Sequence, residues 1–587
     1  MLRTLQLHHP RLLLTDIRLQ ELKAQHETDE TLQRFVRDVA RQADDYARQP
    51  MLQRELIGPR LLHVSRAALQ RVYALAFMYR WTGEVRYADK AIENLRAVCA
   101  FSDWNPSHFL DVAEMTHAVG IGYDWLYGYM DAATRDEIRM GLIRHGLEPG
   151  LIAYRTHWFP RSEYNWNQVC NGGLIVGALA VAETDPRYAD GIIAGAIESL
   201  PRALASYAPD GVWMEGPGYW HYATSYTAYG LAALQTALGT DFGLSDAPGL
   251  AVTGYLPIFA SGPNGLYLNF ADVGSKSRRG PMGCMFWLAR RYGDANLADA
   301  EHEMLKLGRA SVEHVIWYVP PSGNYYRPEE LDRLFRGDVP VAVLRSGWGD
   351  RRALFVGVKG GFNQVNHGHL DLGNFELDAL AQRWALDLGS DDYNLPGYWD
   401  GGAGGQRWSY YRLNSQSHNV LLINNRGQRV EGVAREMRLV TAAHDAGVVI
   451  DLSDAYRGMA ERVVRGVALV GGRRAVLVQD EITLAQSADV AWGMTTEAEI
   501  AILADGSAEL TLQSEKLRAR VLSPAGAAFG VESAEQEPPQ LRNRGVRRLV
   551  VRLAAASGDM RIAVLLAPEW PDGRVVTDAV LTPLAAW

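Results

Sequence analysis

The chain has 587 residues, of which 48% are hydrophobic, 22% charged and 10% aromatic. That balance excludes a disordered, collagenous or coiled-coil protein and suits about two to four globular domains. A net charge of −9 argues against a protein that coats nucleic acid or an anionic membrane, although arginine, the better fork for carboxylate and sulfate, outnumbers lysine.

The N-terminal stretch MLRTLQLHHPRLLLTD has no continuous apolar run and no small-residue cleavage site, and no stretch of about 20 apolar residues follows. The expected location is cytoplasmic, or periplasmic or secreted if an export signal has been removed. Apolar residues at three- and four-residue spacing predict helices around 15–48, 64–83, 85–101, 108–128, 131–155, 171–184, 188–208, 220–238 and 282–308. Breaker clusters such as Pro209-Asp210-Gly211 separate them. Many helices with short connectors suggest hairpins stacked in an arc or ring, a domain over 1–325. After Pro320-Pro321-Ser322-Gly323 the pattern changes. Short runs rich in Val, Ile and Leu take over (VAVLRS, ALFVGVKG, HNVLLIN, GVVIDLSD, RAVLVQDEI, LRARVLS, RRLVVRLAA, MRIAVLLA). They read as antiparallel strands of a β-sandwich over 340–587, in two layers or two subdomains. Cys99, Cys170 and Cys284 lie far apart without a CxxC pair and read as buried thiols.

Three stretches carry candidate chemistry. In Asn366-His367-Gly368-His369-Leu370-Asp371 a strand would place His367, His369 and Asp371 on one face, which suits a metal or acid/base work. Asp387 ends the run RWALD and His418 opens SHNVLLIN, so each could complete a distant metal cluster. In the helical half, Asn165, Trp166, Asn167 and Gln168 precede a small-residue helix; more amides stand there than one helix cap requires. Tyr219, Tyr222, Tyr226 and Tyr229 then lie three or four apart, a stripe that serves either core packing or sugar stacking. At the end of a Gly-rich loop, Arg407 and Arg412 could hold carboxylate or sulfate groups and Tyr411 adds a ring for sugar; a surface loop packing its own aromatics is the other reading.

The order NWN, EGPGYWHY, HGHLDLGNF, an aspartate and then SHN resembles the heparinase II/III family of polysaccharide lyases, as does the opening HPRLLLT. The resemblance runs over nearly the whole chain, and HxHxDxGxF with the following aspartate and SHN is its most specific part. It implies an α+β multidomain protein, an N-terminal incomplete (α/α) toroid followed by a C-terminal antiparallel β-sandwich. It further implies a divalent metal, usually zinc, on His369, Asp387 and His418, with His367 as the catalytic histidine beside it. Tyr219 matches the acid, in some members also the base, and Asn165 the amide that neutralises the substrate carboxylate. Where some members carry a histidine after that asparagine, this chain has Trp166, which moves base duty to Tyr219 or His367. Asn167 competes with Asn165, and Tyr222 with Tyr219, on spacing alone.

The implied reaction is β-elimination at a 4-linked uronate of a glycosaminoglycan or alginate. The expected partner is an acidic polysaccharide or oligosaccharide rather than nucleic acid or a membrane, and a homo-oligomer is left open. Two other readings remain. A glycoside hydrolase would pair Glu215 with Asp111 or Asp272. A non-catalytic carbohydrate-binding protein would keep the aromatic stripes but have little use for HxHxD.

Overall fold

The computed structural model describes residues 1–323, 326–440 and 445–587. Residue 325, where the sequence reading ends its helical domain, lies outside them. The class is the expected one: a helical N-terminal region followed by a region of antiparallel sheets. No helix among the described residues is long and apolar enough to cross a membrane.

The chain forms two compact units that interleave in sequence. The first comprises residues 1–208, 219–254 and 280–326, and the second 209–218, 255–279 and 327–587. Two segments of the helical half thus belong to the second unit, an arrangement absent from the boundaries drawn on the sequence.

The first unit is built of helical hairpins around Phe109–Trp125, every residue of which is buried. It packs against Leu62–Thr82 on one side and Asn165–Ala180 on the other. The small residues of Asn165–Ala180 explain the close approach. A Cβ on Gly120 would lie 2.7 Å from the Cα of Gly177, so the two backbones touch where both side chains are absent. The amide-rich stretch Asn165–Gln168 is the first turn of this helix rather than a loop before it. The helix expected over 15–48 divides at Asp29, whose side chain accepts from the backbone N–H of Thr31 and Leu32 and starts a new helix. Asp294 divides the one expected over 282–308 in the same way.

The opening motif folds as a clamp inside the first unit. His9 Nδ1 lies 2.6 Å from Asp124 and its Nε2 3.0 Å from Glu183, while its ring stacks on Tyr127 at 3.9 Å. Arg11 pairs with Glu183 and donates to the carbonyls of Leu179 and Ala180. Asp124 also accepts the backbone N–H of Arg11 and Leu12. The motif therefore ties the N-terminus to the ends of two central helices.

The second unit holds a five-stranded antiparallel sheet (Arg333–Phe335, Val341–Arg345, Phe355–Lys359, Phe375–Ala379, Gln382–Ala385) and a ten-stranded one. The larger sheet is organised on two long paired strands, Ala475–Thr496 and Arg547–Pro568. RRLVVRLAA and MRIAVLLA, read as two strands in the sequence, are the two ends of the second of these. Its partner is bulged between Leu484 and Val490, which lets so long a ribbon bend. Alternation sorts each strand between two cores. Val463, Val467 and Leu469, with Val476, Val478, Val564 and Leu566, face a core shared with Leu344, Val356 and Leu377 of the smaller sheet. Val464, Ala468 and Val470, with Leu477 and Leu565, face outward and are covered by Leu584 and Trp587 near the C-terminus.

Candidate active site and metal centre

The HxHxD stretch is a loop between Gly361–Phe362 and Phe375–Ala379, not the strand expected, so strand alternation does not place its side chains. His367 adopts φ +61°, a left-handed conformation that costs a non-glycine residue about 1 kcal/mol or more. Asp371 lies in a cluster apart from His367, while His369 belongs to that cluster and also reaches Asp272, the partner of His367.

His367 is 7% exposed and meets two carboxylates that enter the second unit from the interleaved segments. Its Nδ1 lies 2.7 Å from Asp272 Oδ2, and its Nε2 3.8 Å from Glu215 Oε1. Glu215, itself buried, also accepts from the Asn366 amide at 2.7 Å. The segment bearing Glu215 turns sharply at Gly216 (φ +86°), where a Cβ would come within 2.7 Å of the Phe270 carbonyl. The segment bearing Asp272 is held by buried polar contacts. Asn269 donates its backbone N–H to Glu376 (2.7 Å) and its side chain to the Val273 and Asp387 carbonyls, and Arg383 donates to the Tyr267 carbonyl. Burial pushes the Glu376 carboxyl up to about 8, against the pull of Arg383.

Asp272 is the hub. Besides His367 it accepts from His369 Nε2 (3.0 Å), Tyr398 Oη (2.8 Å) and Arg407 (3.3 Å). Burial alone would raise its pKa, but the bonds from His367 and His369 and the Arg407 charge hold it well below the usual carboxylate range. The sequence reading weighed Asp272 only as a hydrolase acid. A carboxylate held as an acceptor by four donors is unsuited to protonating a leaving group.

His369, Asp371, Asp387 and His418 form one buried group whose ligand atoms lie within 4.8 Å of one another. The order of the chain explains the convergence. Asp387 follows the strand Gln382–Ala385, and His418 precedes the strand Leu421–Ile423. His418 Nδ1 lies 2.8 Å from Asp387 Oδ2, and the His369 and His418 rings are 5.2 Å apart. Three buried atoms in this group have no hydrogen-bond partner among the described residues: His369 Nδ1, His418 Nε2 and Asp371 Oδ2. Such orphans are costly in a dry interior, and a cation on them would satisfy all three. Asp371, grouped in the sequence with His367 and His369 as suited to a metal or acid/base work, is a fourth candidate donor. Lys359 pairs with its other oxygen and offsets part of the charge. Burial opposes the protonation of both imidazoles. It prevails at His369, whose pKa is lowered, while the Asp387 charge raises that of His418.

Several expected substrate contacts are already committed. Arg407 donates to the Gly368 carbonyl (2.9 Å), the Tyr398 carbonyl and Asp272. Arg412 donates to Asn543 Oδ1 and to the Leu388 and Ser390 carbonyls. Tyr411 packs among Leu386, Leu388, Ala534 and Val546. These three shape the loop rather than grip a sugar. The sequence showed a guanidinium and rings on a glycine-rich loop, and nothing in it revealed which carbonyls the arginines would find.

In the first unit, Asn165 is buried at the start of its helix. Asn167 is buried too, and its amide is spent on the Ser162 carbonyl (2.9 Å) and on Ser199, so it is a brace and not a substrate contact. Trp166 is half-buried within an aromatic group that includes His108, His157 and Trp158. Tyr219 is half-exposed. Tyr222 donates its hydroxyl to the buried Glu114, and Arg66, which also pairs with Glu114, covers its ring at 4.9 Å. Burial and the Glu114 charge drive the Tyr222 pKa well above the ordinary tyrosine value. That hydroxyl and ring are therefore occupied, which corrects the expectation of a sugar contact. The catalytic candidates lie in both units: Asn165 and Tyr219 in the first, His367 in the second.

Residues 345–564 match the model of a family described as heparinase II/III-like, C-terminal. No curated protein matches the chain by sequence. Among solved structures, a heparinase III aligns at 13% identity over 85% of this chain and 76% of its own, with a TM-score of 0.62. The heparan sulfate lyase HepC of Pedobacter heparinus aligns at 15% identity over 95% and 92%, with a TM-score of 0.57. The chondroitin AC lyase of Streptomyces coelicolor A3 aligns at 12% identity over 91% and 79%, with a TM-score of 0.51. At these identities the likeness is one of fold.

Proposed function

We propose that this chain, whose residues 345–564 form a heparinase II/III-like C-terminal domain, is a polysaccharide lyase that cleaves 4-linked uronate polymers by β-elimination. One observation carries the reading: a strained, nearly buried His367 held by Asp272 beside a cluster of two imidazoles and two carboxylates, on the fold of heparinase III. The strain is maintained at an imidazole, the side chain best suited to proton transfer near neutrality.

The chemistry assigns the roles. The C5 proton of a uronate is a poor acid while its carboxylate keeps a full charge, so donors must hold that carboxylate as negative charge develops. Asn165 takes this part. His367 is the base and acts through Nε2, because Nδ1 is turned to Asp272. Tyr219 delivers a proton to the departing O4. An ordinary tyrosine, with a pKa of about 10, suits an acid better than a base. Trp166 offers a ring face to a neighbouring sugar. Tyr219 is preferred to Tyr222 because the Tyr222 hydroxyl is already bonded to Glu114.

A divalent metal, with zinc favoured by the nitrogen and oxygen donors, would be held by His369, Asp387 and His418 with Asp371. When bound it would brace three separate stretches of the second unit against one another.

The test is incubation with heparan sulfate, chondroitin, hyaluronan, alginate and glucuronan, read by ultraviolet absorbance. Elimination creates a conjugated 4,5-unsaturated uronate that hydrolysis and simple binding do not. Absorbance should rise on at least one polymer and fail to rise for His367→Ala. A protein that shortens these chains without new absorbance is not a lyase.

A further inference from the structure

The carboxylate of Asp272 faces two imidazoles with different tasks. Its Oδ2 lies 2.7 Å from Nδ1 of His367, and its Oδ1 lies 3.0 Å from Nε2 of His369. Oδ1 also receives the Tyr398 hydroxyl and the Arg407 guanidinium, and a guanidinium only donates. A carboxylate so placed is an acceptor at both oxygens, so each facing ring nitrogen carries its hydrogen. The other nitrogen of each ring is thereby defined. In the neutral ring of His367 the lone pair is then the one on Nε2. His369 keeps its lone pair on Nδ1, the buried atom that lacks a partner among the described residues and stands among Asp371, Asp387 and His418.

The surroundings of Asp272 are built to hold this arrangement. It follows Ala271, a residue at φ +59°, and His367 is itself at φ +61°. Arg407 bonds both Asp272 and the carbonyl of Gly368, the residue between the two histidines. The guanidinium thus fixes the carboxylate relative to the turn that carries both rings. A carboxylate serving only to neutralise Arg407 would need neither imidazole.

We propose that Asp272 is a positioning residue that sets both histidines at once: it presents Nε2 of His367 for proton transfer and Nδ1 of His369 to a divalent metal. The first half rests on the lyase reading given above, and the second does not. Carboxylates that orient a metal-binding imidazole typically change metal affinity 10- to 100-fold when removed.

The experiment compares full-length wild type, Asp272→Asn and His367→Ala. Turnover is measured on whichever polymer the wild type eliminates, and zinc affinity by titration of metal-stripped protein. Asp272→Asn should lower kcat by about 100-fold or more, with KM changed less than about threefold, because the substrate contacts lie elsewhere. Its zinc affinity should fall by about 10- to 100-fold. Turnover and zinc affinity both near wild type in Asp272→Asn, with His367→Ala inactive, overturn the proposal while leaving the lyase reading standing. If no polymer is eliminated, the lyase reading fails, and the zinc titration still decides the second half. Should Asp272→Asn not fold, nitrogen-15 spectra of histidine-labelled wild type decide, with His367→Gln assigning one signal and His369→Gln the other. The hydrogen should sit on Nδ1 of His367 and on Nε2 of His369; the opposite tautomer at either ring overturns the proposal.

Discussion

His418 Nδ1 lies 2.8 Å from Asp387 Oδ2, and both side chains are fully buried. A histidine and an aspartate can be sealed together at little cost when a proton or a cation balances the charge. Here Nε2 of His418 has no partner among the described residues, so a cation fits the pair better than a proton alone. His418→Ala should lower bound zinc by elemental analysis and reduce the melting temperature. Chelation of wild type should shift the melt in the same direction and leave His418→Ala unmoved. Equal metal content in the two proteins would reject the ligand set.

The two tyrosines make opposite predictions. Tyr219→Phe should abolish elimination and leave a folded protein with a cooperative melt, since the ring that packs is kept. Tyr222→Phe removes one of the two donors to the buried Glu114, leaving only Arg66, which costs about 1–3 kcal/mol. Its turnover should stay within about tenfold of wild type. Paired kinetics and thermal melts separate them, and the reverse pattern would exchange their roles.

The N-terminal clamp predicts a pH window for stability. Burial works against ionised Glu183, but the bond to His9 and the charge of Arg11 hold its pKa at about 2, below the ordinary 4.5. That contribution is present above about 4.5 and is lost as pH falls toward 2. Burial likewise opposes protonation of His9, yet Asp124 and Glu183 raise its pKa above 6.5. That contribution is complete below 6.5 and fades as pH rises through the elevated value. The clamp is therefore strongest between about pH 4.5 and 6.5, where it contributes on the order of 2 kcal/mol. Denaturation of wild type and His9→Gln from pH 3 to 9 should show the largest gap inside this window. A gap independent of pH would assign the clamp to packing alone.

The contact between Gly120 and Gly177 leaves no room for a side chain. Gly120→Val should destabilise the first unit by about 3 kcal/mol or more, because its side chain meets the backbone of Val176 and Gly177 rather than a flexible side chain. Circular dichroism in the helical band should register the loss. Unaltered stability would mean that the two helices can part without cost.

The sequence told most where function is compressed into a short stretch. HGHLDLGNF holds His367, His369 and Asp371 within five residues, and any fold of that segment keeps them near one another. The strands were equally legible, since short runs rich in Val, Ile and Leu, such as VAVLRS and RAVLVQDEI, are bounded by turn residues. Asp272 and Glu215 were harder, because each reaches His367 from about 95 and 150 residues away through segments that read as connectors between helices. A hint did exist: EGPG and ADVG place an acid beside glycine, where chain direction changes abruptly. Arg407 and Arg412 were misread for a related reason. An arginine in a polar loop looks available until its carbonyl acceptors are known, and those are set by tertiary structure alone.

The stretches 209–218 and 255–279 are synthesised long before the strands with which they form a compact unit. During translation they leave the ribosome with no finished partner, and a protein cut after residue 326 would carry them permanently unsatisfied. The β-rich half expressed from 327 onward would in turn lack Glu215 and Asp272, the two acids beside its own histidine. Nature and engineer alike must therefore inherit this chain whole: shuffling its halves with those of a relative would exchange scaffold and chemistry together.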